Sequence, residues 1–310
     1  MSENLINLAI TEFSTILVLK LQQRQSKLRG RVQEGFHKGK QASPIQYIGA
    51  VQMKTPAGRF APINRQDVAF TRRWVFPTDK SAQQLIDTFD ELRILQDPTS
   101  QYADVAAAAV AREWDDRLIQ AAFGTAYLGT DGASFTTEAF NTGVPQSQSL
   151  IIAQTFGAST NVGLTVAKMI EAKRIMRKLQ IPVDDEQLTW VTNSQGESDL
   201  LKQAQVVSTD FSDKPILVDG KVTRFMGWDI VYSERLAVSS SARQNIAFVK
   251  SGLYLGVWKD VENNIARRLD LESLPYQLYT MMTSGATRLE PGRLLQVLCA
   301  DTSTAADVTP

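Results

Sequence analysis

Ala106-Ala107-Ala108-Ala109-Val110-Ala111-Arg112-Glu113-Trp114-Asp115-Asp116-Arg117-Leu118-Ile119 carries the strongest helical signal in this 310-residue chain. Alanine has the highest intrinsic helix propensity, and Val105, Ala109, Val110, Trp114, Leu118 and Ala122 recur at spacings that line one helical face. Asp97-Pro98-Thr99-Ser100 supplies a start signal, with Thr99 or Ser100 as N-cap, and Gly124 supplies a stop. The pattern predicts a helix over about 100–123, a rod of roughly 36 Å at 1.5 Å per residue. Its surroundings are acidic: ten acids stand against four bases between Asp79 and Asp131.

On the N-terminal side the character inverts. Residues 4–24 carry Leu5, Ile6, Leu8, Ala9, Phe13, Ile16, Leu17 and Leu19 at helical spacing. A basic, glycine-interleaved arm follows, with Lys20, Arg24, Lys27, Arg29, Arg31, Lys38 and Lys40 against the single acid Glu34, a net of +6. It lacks the apolar content to fold alone, and Gly35-Phe36-His37-Lys38-Gly39-Lys40 reads as a mobile loop. Tyr47 to Met53 and Asp67 to Val75 are strand-like runs around Lys54-Thr55-Pro56-Ala57-Gly58-Arg59 and read as a long hairpin of net charge +4. An isolated hairpin is marginal in water, so this one is expected to lie on something else.

On the C-terminal side, residues 125–160 read as loop. A basic amphipathic helix from Leu164 to Leu179, a buried strand Leu188 to Thr192 and a short helix Ser198 to Gln203 indicate an α/β or α+β unit. Strands are predicted at Phe225 to Tyr232 after a turn at Asp219-Gly220, then at Ile246 to Val249, Leu253 to Trp258, Tyr276 to Met282 and Leu294 to Cys299.

Composition narrows the chemistry. Thirty-three basic and 33 acidic residues give a formal net charge of +0, unlike a free-standing nucleic-acid binder, while 43% hydrophobic and 21% charged residues describe a folding chain. One cysteine, Cys299, and one histidine, His37, exclude an internal disulfide framework and His/Cys metal clusters, and point to the cytoplasm. No run of 18 apolar residues and no signal peptide is present. Phosphate-binding glycine motifs are absent. Asp115 and Asp116 diverge by about 100° on a helix and do not share a reacting atom. Asp184-Asp185-Glu186 reads as a solvated loop, and Trp74, Trp114, Trp190, Trp228 and Trp258 read as core or interface. The Lys/Arg run from 20 to 40 suits either nucleic acid or an acidic neighbouring subunit.

Several segments, in order, resemble the major capsid proteins of tailed double-stranded DNA bacteriophages, whose fold is shared with encapsulins and herpesvirus shells. Gln22 to Arg29 resembles the arm, Arg72-Arg73-Trp74 the hairpin's return strand, and Ala111 to Ile119 with Gly124-Thr125-Ala126 and Gly129-Thr130-Asp131-Gly132 the spine helix and its exit. Phe225 to Ser233 resembles the axial-domain strand, and Gly285 to Pro291 ahead of Leu294 to Val297 the closing segment.

The resemblance implies an α+β fold: an N-terminal arm (1–45), an extended hairpin loop (46–78), a peripheral domain with the spine helix (79–145), an axial α/β domain (146–260), peripheral-domain strands (261–286), and a closing strand with tail (287–310). It implies a structural, non-enzymatic shell protein with no cofactor or metal, assembling in the bacterial host cytoplasm into the virion capsid. Its expected partners are copies of itself as hexamers and pentamers, a separate scaffolding protein, a portal, a decoration protein and packaged double-stranded DNA held non-specifically, with no membrane. Some relatives carry a scaffolding segment before the arm; here the arm starts at once, so a separate scaffold or a processed form is expected. The expected inter-subunit contacts are Lys27, Arg29, Arg31, Lys54, Arg59, Arg65, Arg72, Arg73 and Trp74 of the arm and hairpin, against Asp104, Glu113, Asp115 and Asp116 of a neighbour. Some relatives also weld subunits through Lys to Asn isopeptide bonds, for which Lys54 with Asn263 or Asn264 are the candidates. The alternatives are an encapsulin-type shell around a cargo enzyme and, in a different class, an α+β enzyme using Asp210, Ser212 and Asp213.

Overall fold

A computed structural model describes residues 22–49, 51, 53–55, 58–59, 67–68, 70–86, 99–203, 217–218, 221–239, 241–272 and 274–301. The apolar stripe of residues 4–19, the turn at Asp219-Gly220, Arg65, and the Asp210, Ser212 and Asp213 group lie outside them. The chain divides into two compact units. One comprises Met1–Ser26, Asp79–Glu113 and Val261–Met282; the other comprises Lys27–Thr78, Trp114–Asp260 and Thr283–Pro310.

The predicted rod is present as α1 (Thr99–Phe123), and Gly124 N–H closes its last turn on the Gln120 carbonyl at 2.8 Å. Its second half supplies the buried face Trp114, Leu118, Ile119 and Ala122. The arm is ordered where it was expected to be mobile: β1 (Gln33–Phe36) runs parallel to the start of β15 (Leu253–Arg267). The glycine that suggested a loop is what permits the pairing, since a Cβ at Gly35 would collide with the Tyr254 hydroxyl. The hairpin exists at its root, where β2 (Gln46–Ile48) pairs antiparallel with β3 (Phe70–Trp74). The 125–160 segment is not simply loop. β5 (Ala126–Gly129) and β6 (Thr136–Glu138) extend the hairpin into a four-stranded sheet of order β2-β3-β5-β6, and these strands are too short to show a period.

The larger core belongs to the second unit. A seven-stranded sheet has the order β11 (Arg224–Phe225), β12 (Trp228–Tyr232), β8 (Leu188–Thr192), β14 (Ala242–Val249), β17 (Leu294–Ala300), β7 (Ile151–Ile152), with β13 (Val238–Ser239) on β14, while β9 (Leu217–Val218) and β10 (Lys221–Val222) pair separately. β8 is central, parallel to β12 and antiparallel to β14, and all five of its residues are buried, as its continuous apolar reading requires. Trp190 and Trp228 meet edge to face at 5.3 Å. Against this sheet pack α2 (Val166–Lys178), capped by Thr165 and basic in its last turn, and α3 (Ser194–Leu201), capped by Asn193. The α3 start four residues ahead of the predicted Ser198 follows from that asparagine cap.

Two strand predictions change form. The run from Phe225 to Tyr232 is a tight hairpin, not one strand: Met226 and Gly227 both take positive φ (52° and 81°), the requirement of a two-residue turn. β15 and β16 (Tyr276–Arg288) are much longer than their apolar stretches suggested, because Lys259 to Asn264 are exposed and, Val261 apart, polar, and show no buried face. They belong to a sheet of order β1-β15-β16-β4, whose β4 (Thr78–Ile86) has no clear sequence signal. Gly285 in β16 is required by close approach, since a Cβ there would strike the Phe76 carbonyl.

Candidate functional site

The arm is latched onto its own chain. Backbone N–H groups of Lys27 and Leu28 donate to the buried Asp115 carboxylate at 3.0 and 3.1 Å, and Leu28 is itself buried. Lys27 Nζ donates to the Tyr232 carbonyl at 2.6 Å. The Arg29 guanidinium lies 4.6 Å from the Trp114 ring centroid and within 3.5 Å of Glu34 and Asp260. Arg31 stands 3.6 Å from Asp229, and Asp116 pairs with Arg235. In the other unit Arg112 donates to Gln22 Oε1 at 2.8 Å, and Lys80 reaches Glu113 at 3.7 Å.

Several members of the expected inter-subunit set make contacts within their own chain. Asp115 is fully buried and spends its carboxylate on the arm backbone of its own chain. Lys27, Arg29, Arg31 and Asp116 likewise have partners within the chain. Arg73 is also turned inward. It is 2% exposed and pairs with Glu138, while the buried Arg288 donates to the Gly124 and Glu138 carbonyls. Burial, then the Arg73 charge beside it, lower the Arg288 guanidinium to about 10. Trp74 is buried and donates to the Gly129 carbonyl at 3.1 Å. Together these residues root the hairpin beside the end of α1.

Exposed positions remain on the hairpin: Lys54 and Arg59, with Arg72 half-buried at its root. Asp104 is exposed on α1. Beside the cations stand residues that charge-based reading overlooked, Ile48 (66% exposed), Val51 (62%), Met53 (fully exposed) and Phe70 (50%). Large apolar side chains on a basic hairpin were the available signal. In the other unit, the loop between β15 and β16 exposes Leu269, Leu271 and Leu274. Asn263 and Asn264 are exposed on β15, and Asn263 accepts from Thr280 at 2.8 Å.

Two further groups were not legible as special. His37 packs on Trp258 at 5.3 Å, and its Nε2 lies 2.5 Å from the Tyr254 hydroxyl. Burial holds the imidazole below its usual 6.5. A base whose folded pKa is depressed contributes stability above the unfolded value that is lost as pH falls through the folded one. Hydrogen exchange at residues 33–37 is therefore expected to accelerate between pH 7.5 and pH 5 relative to β14; unchanged protection would refute an acid-sensitive arm. Lys168, on the apolar face of α2, is completely buried and donates to the carbonyls of Gln154, Val162, Gly163 and Leu298 at 2.8–3.0 Å, with Cys299 Sγ at 4.0 Å. Burial pushes the Cys299 thiol up to about 11.

Among the described residues no cluster of metal-ligating side chains occurs, and no helix is long and apolar enough to cross a membrane. The arrangement is one of latches, exposed extensions and a closed core.

Comparison with known proteins agrees. None of the curated proteins matches the sequence. The capsid of the cyanophage P-SCSP1u superposes with a TM-score of 0.72 at 14% identity, covering 97% of both chains. The capsid asymmetric unit of cyanophage Pam1 gives 0.69 at 11%, covering 95% of this chain and 97% of the other. A structure from Mycobacterium phage Che8 gives 0.65 at 16%, covering 93% and 97%. These likenesses establish the fold, and a family model for phage capsid proteins matches residues 5–301, nearly the whole sequence. With the arm, hairpin, spine helix and closing strands in that order, the chain belongs to the phage capsid protein family.

Proposed function

We propose that this chain is the repeating subunit of an icosahedral shell that encloses the double-stranded DNA of a tailed bacteriophage, with a structural and non-catalytic role. Copies associate as hexamers and pentamers, the arm, hairpin, peripheral and axial segments taking the boundaries given above. A separate scaffolding protein, a portal and a decoration protein complete the particle, which forms in the host cytoplasm.

The observation that carries this reading is the hairpin. Ile48, Val51, Met53 and Phe70 stand exposed on an extension whose root is fixed by buried Arg73 and Trp74. Exposed apolar side chains on a rigidly rooted projection are explained by a surface that covers them, and in a shell that surface is the next copy. Lys54, Arg59 and Arg72, with Arg65, meet acidic positions such as Asp104 on that copy. Opposite potentials orient the encounter and suppress wrong registers more than they add affinity. Many modest contacts still give a durable particle, because each neighbour makes the next contact effectively intramolecular.

Electron microscopy of the purified chain, alone and with its scaffold, tests this. Closed icosahedral shells are expected. Small discrete oligomers under both conditions would overturn the reading, and shells filled with a cargo protein would replace it with a compartment.

A further inference from the structure

Between the base of the arm and the β11–β12 hairpin lies a cleft of about 690 Å³, lined by Lys27, Arg31, Thr223, Arg224, Asp229 and Tyr232 among others. Three cations face one carboxylate there. Arg31 Nη1 and Arg224 Nε each stand 3.6 Å from Asp229, beyond hydrogen-bonding distance, while Gln187 Nε2 donates to the same carboxylate at 2.7 Å. Arg31 Nη1 is shielded from water and has no hydrogen-bond acceptor. Buried donors are ordinarily hydrogen-bonded, and a guanidinium N–H that is ion-paired at 3.6 Å but not hydrogen-bonded, beside a cleft with excess positive charge, leaves room for a further oxygen. The Arg224 side chain is 72% exposed, so it is able to swing onto a ligand without unpacking anything.

We propose that this cleft holds a backbone phosphate of the enclosed nucleic acid, an inference that rests on the shell reading above. Guanidinium forks suit phosphate oxygens, and two of them with an ammonium bind without reading sequence, as an enclosing protein requires. Ile230, Val231 and Tyr232 also line the cleft, but Ile230 and Val231 are buried in β12, so the side chains free to engage a ligand are the cations. Each site is weak alone. Repetition over every subunit makes weak sites sufficient, and weakness keeps the polymer releasable.

The test measures binding of a fluorescent 20-base-pair duplex of mixed sequence to the 310-residue chain across a salt series. Each lost phosphate contact lowers the slope of log K against log salt by about 0.9. Arg31→Gln with Arg224→Gln is expected to lower the slope by about 0.9, the contribution of one phosphate, and affinity at 100 mM salt by about tenfold. Arg224→Gln alone, at an exposed side chain that spares the fold, should give about half of that slope change. Lys38→Gln with Lys40→Gln removes the same charge from the arm outside the cleft and should do much less. Equal losses in both double variants would mean diffuse attraction and overturn the site. So would polyglutamate binding that depends on the cleft while duplex binding does not. Inorganic phosphate at constant ionic strength should displace the duplex from the unaltered chain; phosphate binding without duplex binding means an adventitious ion only. Electron microscopy of the same preparations separates the two readings, since normal shells without duplex affinity overturn the cleft alone and absent shells count against the shell.

Discussion

Arg73→Glu is expected to leave no cooperatively folding subunit, whereas Arg72→Glu, one residue away, leaves the subunit intact and stops shell assembly. From sequence the two arginines are equivalent members of a basic hairpin. The strand separates them: Arg73 lies buried against Glu138, while Arg72 retains access to solvent. Removing one partner of a buried ion pair strands the other charge, at a cost of about 3–5 kcal/mol, and a second carboxylate beside Glu138 adds repulsion to that. Total stabilities are only about 5–15 kcal/mol, so the glutamate variant should fail outright. Arg73→Met keeps the volume and omits the repulsion; it should still melt about 10 °C or more below the unaltered chain. At Arg72 the change in stability should stay within about 0.5 kcal/mol, as for other surface positions, while micrographs show no shells. Normal shells from Arg72→Glu would remove the hairpin charge from assembly. An Arg73→Met melting curve that overlays the unaltered one would remove the buried pair from the stability argument.

That contrast also shows what was legible in the sequence. The spine helix was, because alanine propensity, an apolar stripe and a glycine stop all agreed over 25 residues. β8 was, because a strand buried on both faces has a continuous apolar run. The hairpin at Met226-Gly227 was not, since a two-residue turn removes too little from an apolar run to break it. Nor was the arm's order legible. Part of its anchoring is on backbone groups and an aromatic face, Asp115 holding two N–H groups and Trp114 lying under Arg29, and a backbone N–H or an indole ring adds nothing to a charge count. Charge segregation along the chain marked basic and acidic segments. It did not mark whether they pair within one subunit or between two, because lysines and arginines look alike until burial and partners are assigned.

Lys168 is where one buried ammonium ties the stretch ahead of α2 to β17, so its replacement should cost the second unit dearly. Its ammonium gathers Gln154, Val162 and Gly163 from the stretch ahead of α2 and Leu298 from β17. Burial alone pushes this group toward its neutral form. A neutral amine would have only two N–H groups for four carbonyls, so the cage requires the charge that burial opposes. Apolar replacement of a buried ion pair is often tolerated because both charges leave together. Here only the cation would leave. The four carbonyls belong to the backbone and stay buried; those of Gln154 and Val162 also accept from the Val162 and Ala300 N–H groups at 3.2 and 3.0 Å, so the loss falls mainly on Gly163 and Leu298. Lys168→Met is therefore expected to lose about 3–5 kcal/mol, near the cost of a stranded partner. Hydrogen exchange should rise first over residues 154–163, which Lys168 pins, and less over β8, whose ladder to β12 and β14 is untouched. Lys168→Arg should rescue little, since the larger planar group has no room among carbonyls spaced for an ammonium. A Lys168→Met chain with unchanged melting and unchanged exchange over 154–163 would mean the carbonyls find water instead, and that the ammonium only fills a space water would occupy equally well.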